Sequence, residues 1–404
     1  MLSLIVRCSA LPVHKPKAHY VPLDSVRGIA ALCVVVHHFV GSETLKVILP
    51  HRAWIDVAFF HNSWLCVDLF FVLSGIVISM SYMKSEFGGF DFGDFVARRI
   101  ARIYPLHLAT LLAFLSFRLM KLGLVAIGVL HFVPPEMPVN NYVSFLVNLL
   151  LLQASGIINY LSWNGPSWSI SAEFYTYLVF ATVMIAAQAA RSVRMVYALS
   201  GLLVIGSLGI ILFVLRMESL DFHYQFGIVR CVLSFFLGVL TVRAVALVPP
   251  GVNPRLQSVV QIGAAVAAIV IISVVGWLPA ISFVAPVVFA ILLGSLMVFP
   301  YRPLPELLTV QPLVWLGKRS YSIYMVHALV LVLLEYFARG VGAARFQSLD
   351  GLLPGLPASV LLVGFVGAVL ALSSLTYATI EMPGSRLVLG LLRPRRAKSL
   401  AAAE

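Results

Sequence analysis

Asp24-Ser-Val-Arg27-Gly-Ile-Ala-Ala-Leu-Cys-Val-Val-Val-His37-His38 sets one guanidinium and two imidazoles inside a run that is otherwise apolar. A helix turns about 100° per residue, so the eleven steps from Arg27 to His38 bring the two side chains back to within roughly 20° of each other. His37 points about 100° away. Asp24, Arg27, Ala31, Val34 and His38 thus form one stripe, with small residues between its polar ends where another helix or a substrate chain can approach. Ionisable groups in a membrane segment are functional hypotheses by default.

The rest of the chain supplies that membrane setting. Of 404 residues, 61% are hydrophobic and 11% charged, far from soluble composition, in which charge alone is about a quarter. Runs long enough to cross ~30 Å of hydrocarbon occur at 26–42, 65–83, 104–124, 168–189, 195–215, 226–247, 257–277, 281–299, 320–338 and 357–380. The fold class is therefore an all-α polytopic membrane protein of about ten transmembrane helices. The apolar run 142–153 is too short to cross and reads as a re-entrant or interfacial helix in the loop 125–167. With the N-terminus inside, 20 of the 28 basic residues collect on the inner side, which predicts an N-in, C-in topology. The net charge of +12 is spread between apolar runs, as for loops beside anionic lipid rather than for a nucleic-acid surface. Residues 1–22 read as a cytoplasmic tail, 23–385 as the single membrane domain and 386–404 as a basic cytoplasmic tail. The four cysteines, Cys8, Cys33, Cys66 and Cys231, have neither metal-ligand spacing nor the pattern of a disulfide framework.

Polar residues recur at a few places only. The second span opens Val67-Asp68-Leu-Phe-Phe-Val-Leu-Ser74-Gly75, a carboxylate near one end followed by a Ser-Gly pair that permits close helix packing. Arg98, Arg99 and Arg102 fall within one helical turn, and an all-arginine cluster suits bidentate phosphate recognition where lysine would serve as well for a mere anchor. In the fourth span Trp168, Ser169, Glu173 and Tyr177 follow, with Ser169, Glu173 and Tyr177 on one face and Glu173 roughly 7 Å deep. Spans five to eight carry few ionisable groups and read as scaffold. Chemistry resumes in the ninth, where Lys318 and Arg319 precede Ser320, Tyr324 and His327 at helical spacing, and the last span ends Glu381-Met-Pro383.

Taken together, Leu23–Ala31 with His38, Val67–Gly75, Arg98–Pro105, Ser167–Phe174 and Leu316–Tyr324 with His327 resemble, in order, the integral-membrane acyltransferase family of type three. The resemblance implies an O-acyltransferase of the cell membrane that moves an acyl group, expected to be acetyl, from acyl-CoA to a hydroxyl of a sugar, a glycan, a lipid-linked sugar or a glycosylated small molecule. It implies acyl-CoA as a co-substrate, with no resident cofactor and no metal. His38 matches the family's catalytic histidine, and Arg99 and Arg102 its Arg-x-x-Arg element. Arg27, Lys318 and Arg319 near the inner interface are then expected to help hold the CoA phosphates. His38 lies about 16 Å above Arg27, a depth that a pantetheine arm reaches, and would act as general base or carry the acyl group as an acyl-imidazole. Glu173 or Asp68 would orient it, and Trp168, Ser169, Tyr324 and His327 would meet the acceptor. This chain departs from the family pattern in the extra imidazole of His37, and no hydrolase-like domain of the kind some relatives carry is expected after the last span, so that any soluble partner is expected to be a separate chain. The rival reading is a secondary transporter with an intramembrane His/Arg/Glu site. Against it stand the lack of a repeat relating two halves and the crowding of ionisable residues into spans one to four, nine and ten.

Overall fold

The computed structural model describes residues 20–52, 54–83, 89–129, 138–249, 251–299 and 303–393. Most of the predicted N-terminal tail, including Cys8, and the last eleven residues of the basic tail lie outside them. Ten helices among the described residues are long and apolar enough to cross a membrane. Their cores are α1 (Val21–Gly41), α2 (Cys66–Tyr82), α3 (Phe92–Ala126), α4 (Trp168–Ala189) and α5 (Val193–Gly209), then α6 (Gly227–Ala246), α7 (Pro254–Val274), α8 (Ala285–Val298), α9 (Gln311–Val341) and α10 (Leu356–Thr376). Each expected span coincides with one of them. In hydrocarbon every backbone group must find its partner inside its own segment, so an apolar run of this length has little choice but to be helical.

Three boundaries differ from the hydropathy reading. The third span does not begin at 104: Asp91 caps α3 by accepting from the Asp94 backbone N–H, and the arginine turn belongs to the same continuous helix that enters the membrane. The ninth starts at Gln311, so its Lys318-Arg319 pair is likewise helical. The last continues past 380 through a π-turn, Tyr377–Glu381, into a further helix, Met382–Leu392, which takes in the start of the expected basic tail. Charge and proline end a hydropathy window before they end a helix. The run 142–153 forms a short helix, Tyr142–Leu149, with Asn141 and Ser144 as a reciprocal capping box.

Two close crossings organise the bundle. Helix α1 lies most extensively along α9, with Gly28 against Gly317: a Cβ on Gly317 would sit 2.3 Å from the Asp24 carbonyl oxygen. Helix α2 lies along α6 in the same manner, a Cβ on Gly75 falling 1.9 Å from the Phe235 oxygen and one on Gly238 2.0 Å from that of Val72. Any side chain at these points would force the helices apart, which is why small residues mark membrane helix contacts. The Ser74-Gly75 pair does what its spacing predicted. Helix α2 is consequently the most enclosed of the ten, and its apolar residues run all round it, as expected of a buried helix. Ile205 and Phe213 in the fifth span, and Val266 and Ile269 in the seventh, face outward, where lipid is the solvent.

Candidate active site

Between α1, α2, α3, α4, α9 and the helix Met382–Leu392 lies a half-open cavity of about 380 Å³, within the size range of ligand sites. Arg27, Arg98, Arg99 and Arg102 line it, together with Glu173, Tyr177, Ser169, Ser320 and Tyr324. Ser169, Glu173 and Tyr177 reach it because they share a face of α4, and Ser320 and Tyr324 because they share one of α9. The arginines are not equivalent. Arg98 pairs with Asp94 at 2.9 Å. Arg102 is bound to Glu381, which the π-turn of the last span turns into the bundle and which also accepts from Ser322 Oγ at 2.6 Å. Arg99 makes no ion pair among the described residues. Its guanidinium lies over the rings of Tyr82, Phe95 and Tyr177 at 5.6–5.9 Å, and its Nε is buried with no acceptor. Arg27 likewise makes no ion pair among the described residues. Two guanidiniums thus face the cavity with unused donors, offset by Glu173, whose carboxylate accepts from Tyr177 at 2.5 Å. Lys318 and Arg319 do not join them. Lys318 is exposed, and Arg319 lies over the rings of Trp315 and Tyr377 at 4.3 and 5.2 Å.

Phe70, Ser169 and Tyr324 also line the cavity. The Tyr324 hydroxyl donates to the Pro166 carbonyl and accepts from Ser169 Oγ, and the Phe70 ring meets Tyr324 edge-on. Behind Tyr324 lie the histidines. His327 is 5.6 Å from Tyr324 between ring centroids, and His38 is 4.7 Å from His327. His38 Nδ1 lies 2.9 Å from the Val34 carbonyl oxygen and His327 Nδ1 lies 2.5 Å from that of Tyr324. A carbonyl only accepts, so each Nδ1 carries the proton and each Nε2 presents a lone pair. The orienting role expected of Glu173 or Asp68 therefore falls to the helix backbone. His37 points elsewhere, as its angle on the helix predicts, and donates to the Phe60 carbonyl at 3.2 Å.

Asp68 is occupied otherwise. Arg230 of α6, fully buried, donates to both of its oxygens, from Nη2 at 2.6 Å and from Nε at 3.1 and 3.2 Å. Ser234 Oγ donates to Asp68 as well, and Arg230 Nη1 reaches the Phe222 carbonyl. The guanidinium lies 5.1 and 5.2 Å from the rings of Trp64 and Trp168. Trp168, expected against the acceptor, is thus a wall of this ion pair, and its other neighbour is His223, 4.9 Å away in the loop before α6. Burial, and after it the charges of Arg230 and His37, hold His223 down to about 3, so it is neutral at ordinary pH. Sequence reasoning placed Arg230 in a scaffold span and missed it. Half of the signal was present: an arginine four residues into an apolar run calls for a buried acid, although the sequence does not say which one.

The described helices thus form a membrane bundle with a guanidinium-lined chamber beside paired imidazoles. Residues 21–378 match the acyltransferase-3 family, described as an acyltransferase domain, and the chain belongs to it. Over 183 residues it is 30% identical to Protein 2 in picA locus of Rhizobium radiobacter, covering 41% of this chain and 83% of that one. Over 161 residues it is 29% identical to Acyltransferase MdmB of Streptomyces mycarofaciens, covering 39% of this chain and 37% of that one. The second match thus spans little more than a third of its relative's length. No solved structure matches. Family membership decides between transferase and transporter in favour of a membrane acyltransferase.

Proposed function

We propose that the protein is an O-acyltransferase of the cell membrane, moving an acyl group, expected to be acetyl, from acyl-CoA to a hydroxyl of a sugar, glycan or glycosylated small molecule. The observation that carries the donor assignment is the pair of guanidiniums, Arg27 and Arg99, that line the cavity without an ion-pair partner among the described residues, the Arg99 Nε being buried with no acceptor. Such donors suit phosphate oxygens, which they bind in bidentate fashion. The CoA phosphates would meet Arg27 and Arg99 at the cavity mouth, with the pantetheine arm running inward between Ser320, Glu173 and Ser169. The basic asymmetry of the loops supports an N-in, C-in topology, which opens this mouth to the cytoplasm.

His38 is the proposed base. Its Nε2 takes the proton from the acceptor hydroxyl as that oxygen attacks the thioester carbonyl carbon. The new C–O bond forms, the C–S bond breaks, and the departing CoA thiolate recovers the proton from the imidazolium. Tyr324 lines the cavity and its ring lies 5.6 Å from that of His327, so the acyl end has to pass Tyr324 to react. Purified protein in nanodiscs, given acetyl-CoA and a hydroxyl acceptor, should release free thiol in proportion to acylated product. Thiol release that neither depends on the acceptor nor yields an ester would sink the proposal.

A further inference from the structure

The last helical run is longer than the membrane it crosses. Leu356–Leu392 holds 37 residues, about 55 Å at the rise of a helix, against ~30 Å of hydrocarbon and ~40–45 Å with the headgroups. Its final part, the helix Met382–Leu392, therefore passes out of the hydrocarbon at the arginine end of the bundle and lies at the headgroup layer. Both ends of that helix are fastened to α3, through the pairs Glu381–Arg102 and Arg393–Asp94.

Its two sides face different surroundings. Toward the bundle, a Cβ on Gly384 would sit 2.6 Å from that of Pro105, and Ser385 and Leu389 line the donor cavity. About 200° round the helix from these two, Leu387 and Leu391 are 64% and 68% exposed, with Arg386 exposed beside them. From Met382 to Ala403 the chain carries five basic residues, Arg386, Arg393, Arg395, Arg396 and Lys398, and no acid. Leucines flanked by arginine at headgroup depth are the pattern of an interfacial helix, whose apolar side chains enter the acyl boundary while the basic ones meet anionic headgroups. A second copy of the chain laid on the same face would set five positive charges against five.

We propose that anionic phospholipid binds the outward side of this helix and thereby holds its inward side, Ser385 and Leu389, against the donor cavity, so that donor affinity depends on the lipid. The inference rests on the reading of this cavity as the acyl-CoA site. It has a sign that simple surface charge cannot imitate. An anionic membrane repels a polyanionic donor and by itself weakens CoA binding, whereas a wall that lipid holds in place strengthens it.

The test uses the full chain in nanodiscs of phosphatidylcholine alone, and of phosphatidylcholine with phosphatidylglycerol in equal parts, with CoA binding measured by calorimetry. Phosphatidylglycerol should tighten binding at least about fivefold, the factor that one arginine at an anionic surface represents. Leu387→Ser with Leu391→Ser, at positions that do not line the cavity, should bind CoA equally in both lipids and at the weaker value. If that double variant does not survive extraction, Arg386→Gln must show the same loss. A wild type indifferent to phosphatidylglycerol, or a stable variant that keeps the preference, would overturn the proposal. Lipid contact is read without the donor by placing a benzophenone side chain at position 391, irradiating, and identifying the adduct by mass spectrometry. Capture of phosphatidylglycerol in preference to phosphatidylcholine is expected. Equal capture of the two lipids, or capture of a second copy of the chain, would overturn the lipid site. Selective capture of phosphatidylglycerol with no CoA binding in either nanodisc would leave the lipid contact standing and overturn the donor reading, and the lipid dependence of donor binding with it.

Discussion

The node at Arg230 and the chamber at Arg99 each hold a guanidinium between aromatic rings, yet they are finished in opposite ways. Arg230 is fully buried, and the Asp68 carboxylate, Ser234 and the Phe222 carbonyl complete its surroundings. Arg99 has three rings around it, a buried Nε with no acceptor, and open space on its cavity side. A charge that the fold itself neutralises holds helices together, whereas one left with unused donors beside a cavity is reserved for something the fold does not contain. Satisfaction, rather than residue type or depth, separates structural arginine from binding arginine in this bundle. The same criterion sorts the carboxylates: Asp68 and Glu381 are consumed by Arg230 and Arg102, and Glu173 alone of the three faces the cavity.

The largest effect expected belongs to the open side. His38→Ala should reduce transfer by at least the ~10²–10⁴-fold typical of a lost general base, with abundance and melting midpoint nearly unchanged, because the hydrogen bond His38 makes among the described residues is to its own helix at Val34. A fall in stability that accounts for the lost activity would move His38 to the structural class.

Next comes the sealed side. Arg230→Met strands Asp68 in the interior, and breaking a buried pair from one side costs about 3–5 kcal/mol. Much less protein should survive detergent extraction and heating. Asp68→Leu added to Arg230→Met should recover most of that loss, since an apolar pair of similar volume is often neutral or better. A double variant as unstable as the single one would show that the cost lies in the packing against Trp64 and Trp168 rather than in the stranded charge.

The two arginines of Arg-x-x-Arg sharpen the contrast further. Arg99→Lys keeps the charge but loses the fork, and should raise the donor KM by about tenfold, the worth of one charge-assisted hydrogen bond, at near-normal stability. Arg102→Lys should act mainly on stability, because its partner is Glu381 and it ties α3 to the last span. Equal KM effects from both would mean that Arg102 leaves Glu381 to join the donor.

How much of this was legible beforehand follows from the same distinction. The ten spans were readable because each is a continuous apolar run, and hydropathy is a local property. The stripe on α1, the face Ser169–Glu173–Tyr177 and the face Ser320–Tyr324 were readable because helical spacing alone sets them. What stayed hidden was pairing between distant segments. Arg230 with Asp68 and Arg102 with Glu381 join residues 162 and 279 positions apart, and nothing in one sequence says which acid meets which base. That is why Asp68 was read as a catalytic candidate and Arg319 as a donor ligand. The π-turn that aims Glu381 inward is equally silent, since it depends on an extra residue in one turn.

The smallest effect tests the register on which the site rests. Helix α1 is unbroken from Val21 to Gly41, so His37 and His38 must point about 100° apart. His37 donates to the Phe60 carbonyl and thereby fastens the short helix Ala58–His61 to α1. His37→Ala removes that bond, worth about 0.5–1.5 kcal/mol, so the melting midpoint should drop slightly. Transfer should stay within about fivefold of wild type, the factor that 1 kcal/mol represents, because His37 reaches neither the cavity nor His327. Measuring ester formation for His37→Ala and His38→Ala side by side decides the matter. Activity that survives in His38→Ala and vanishes in His37→Ala would transfer the base to His37 and detach the reaction centre from the Arg27 stripe and from Tyr324.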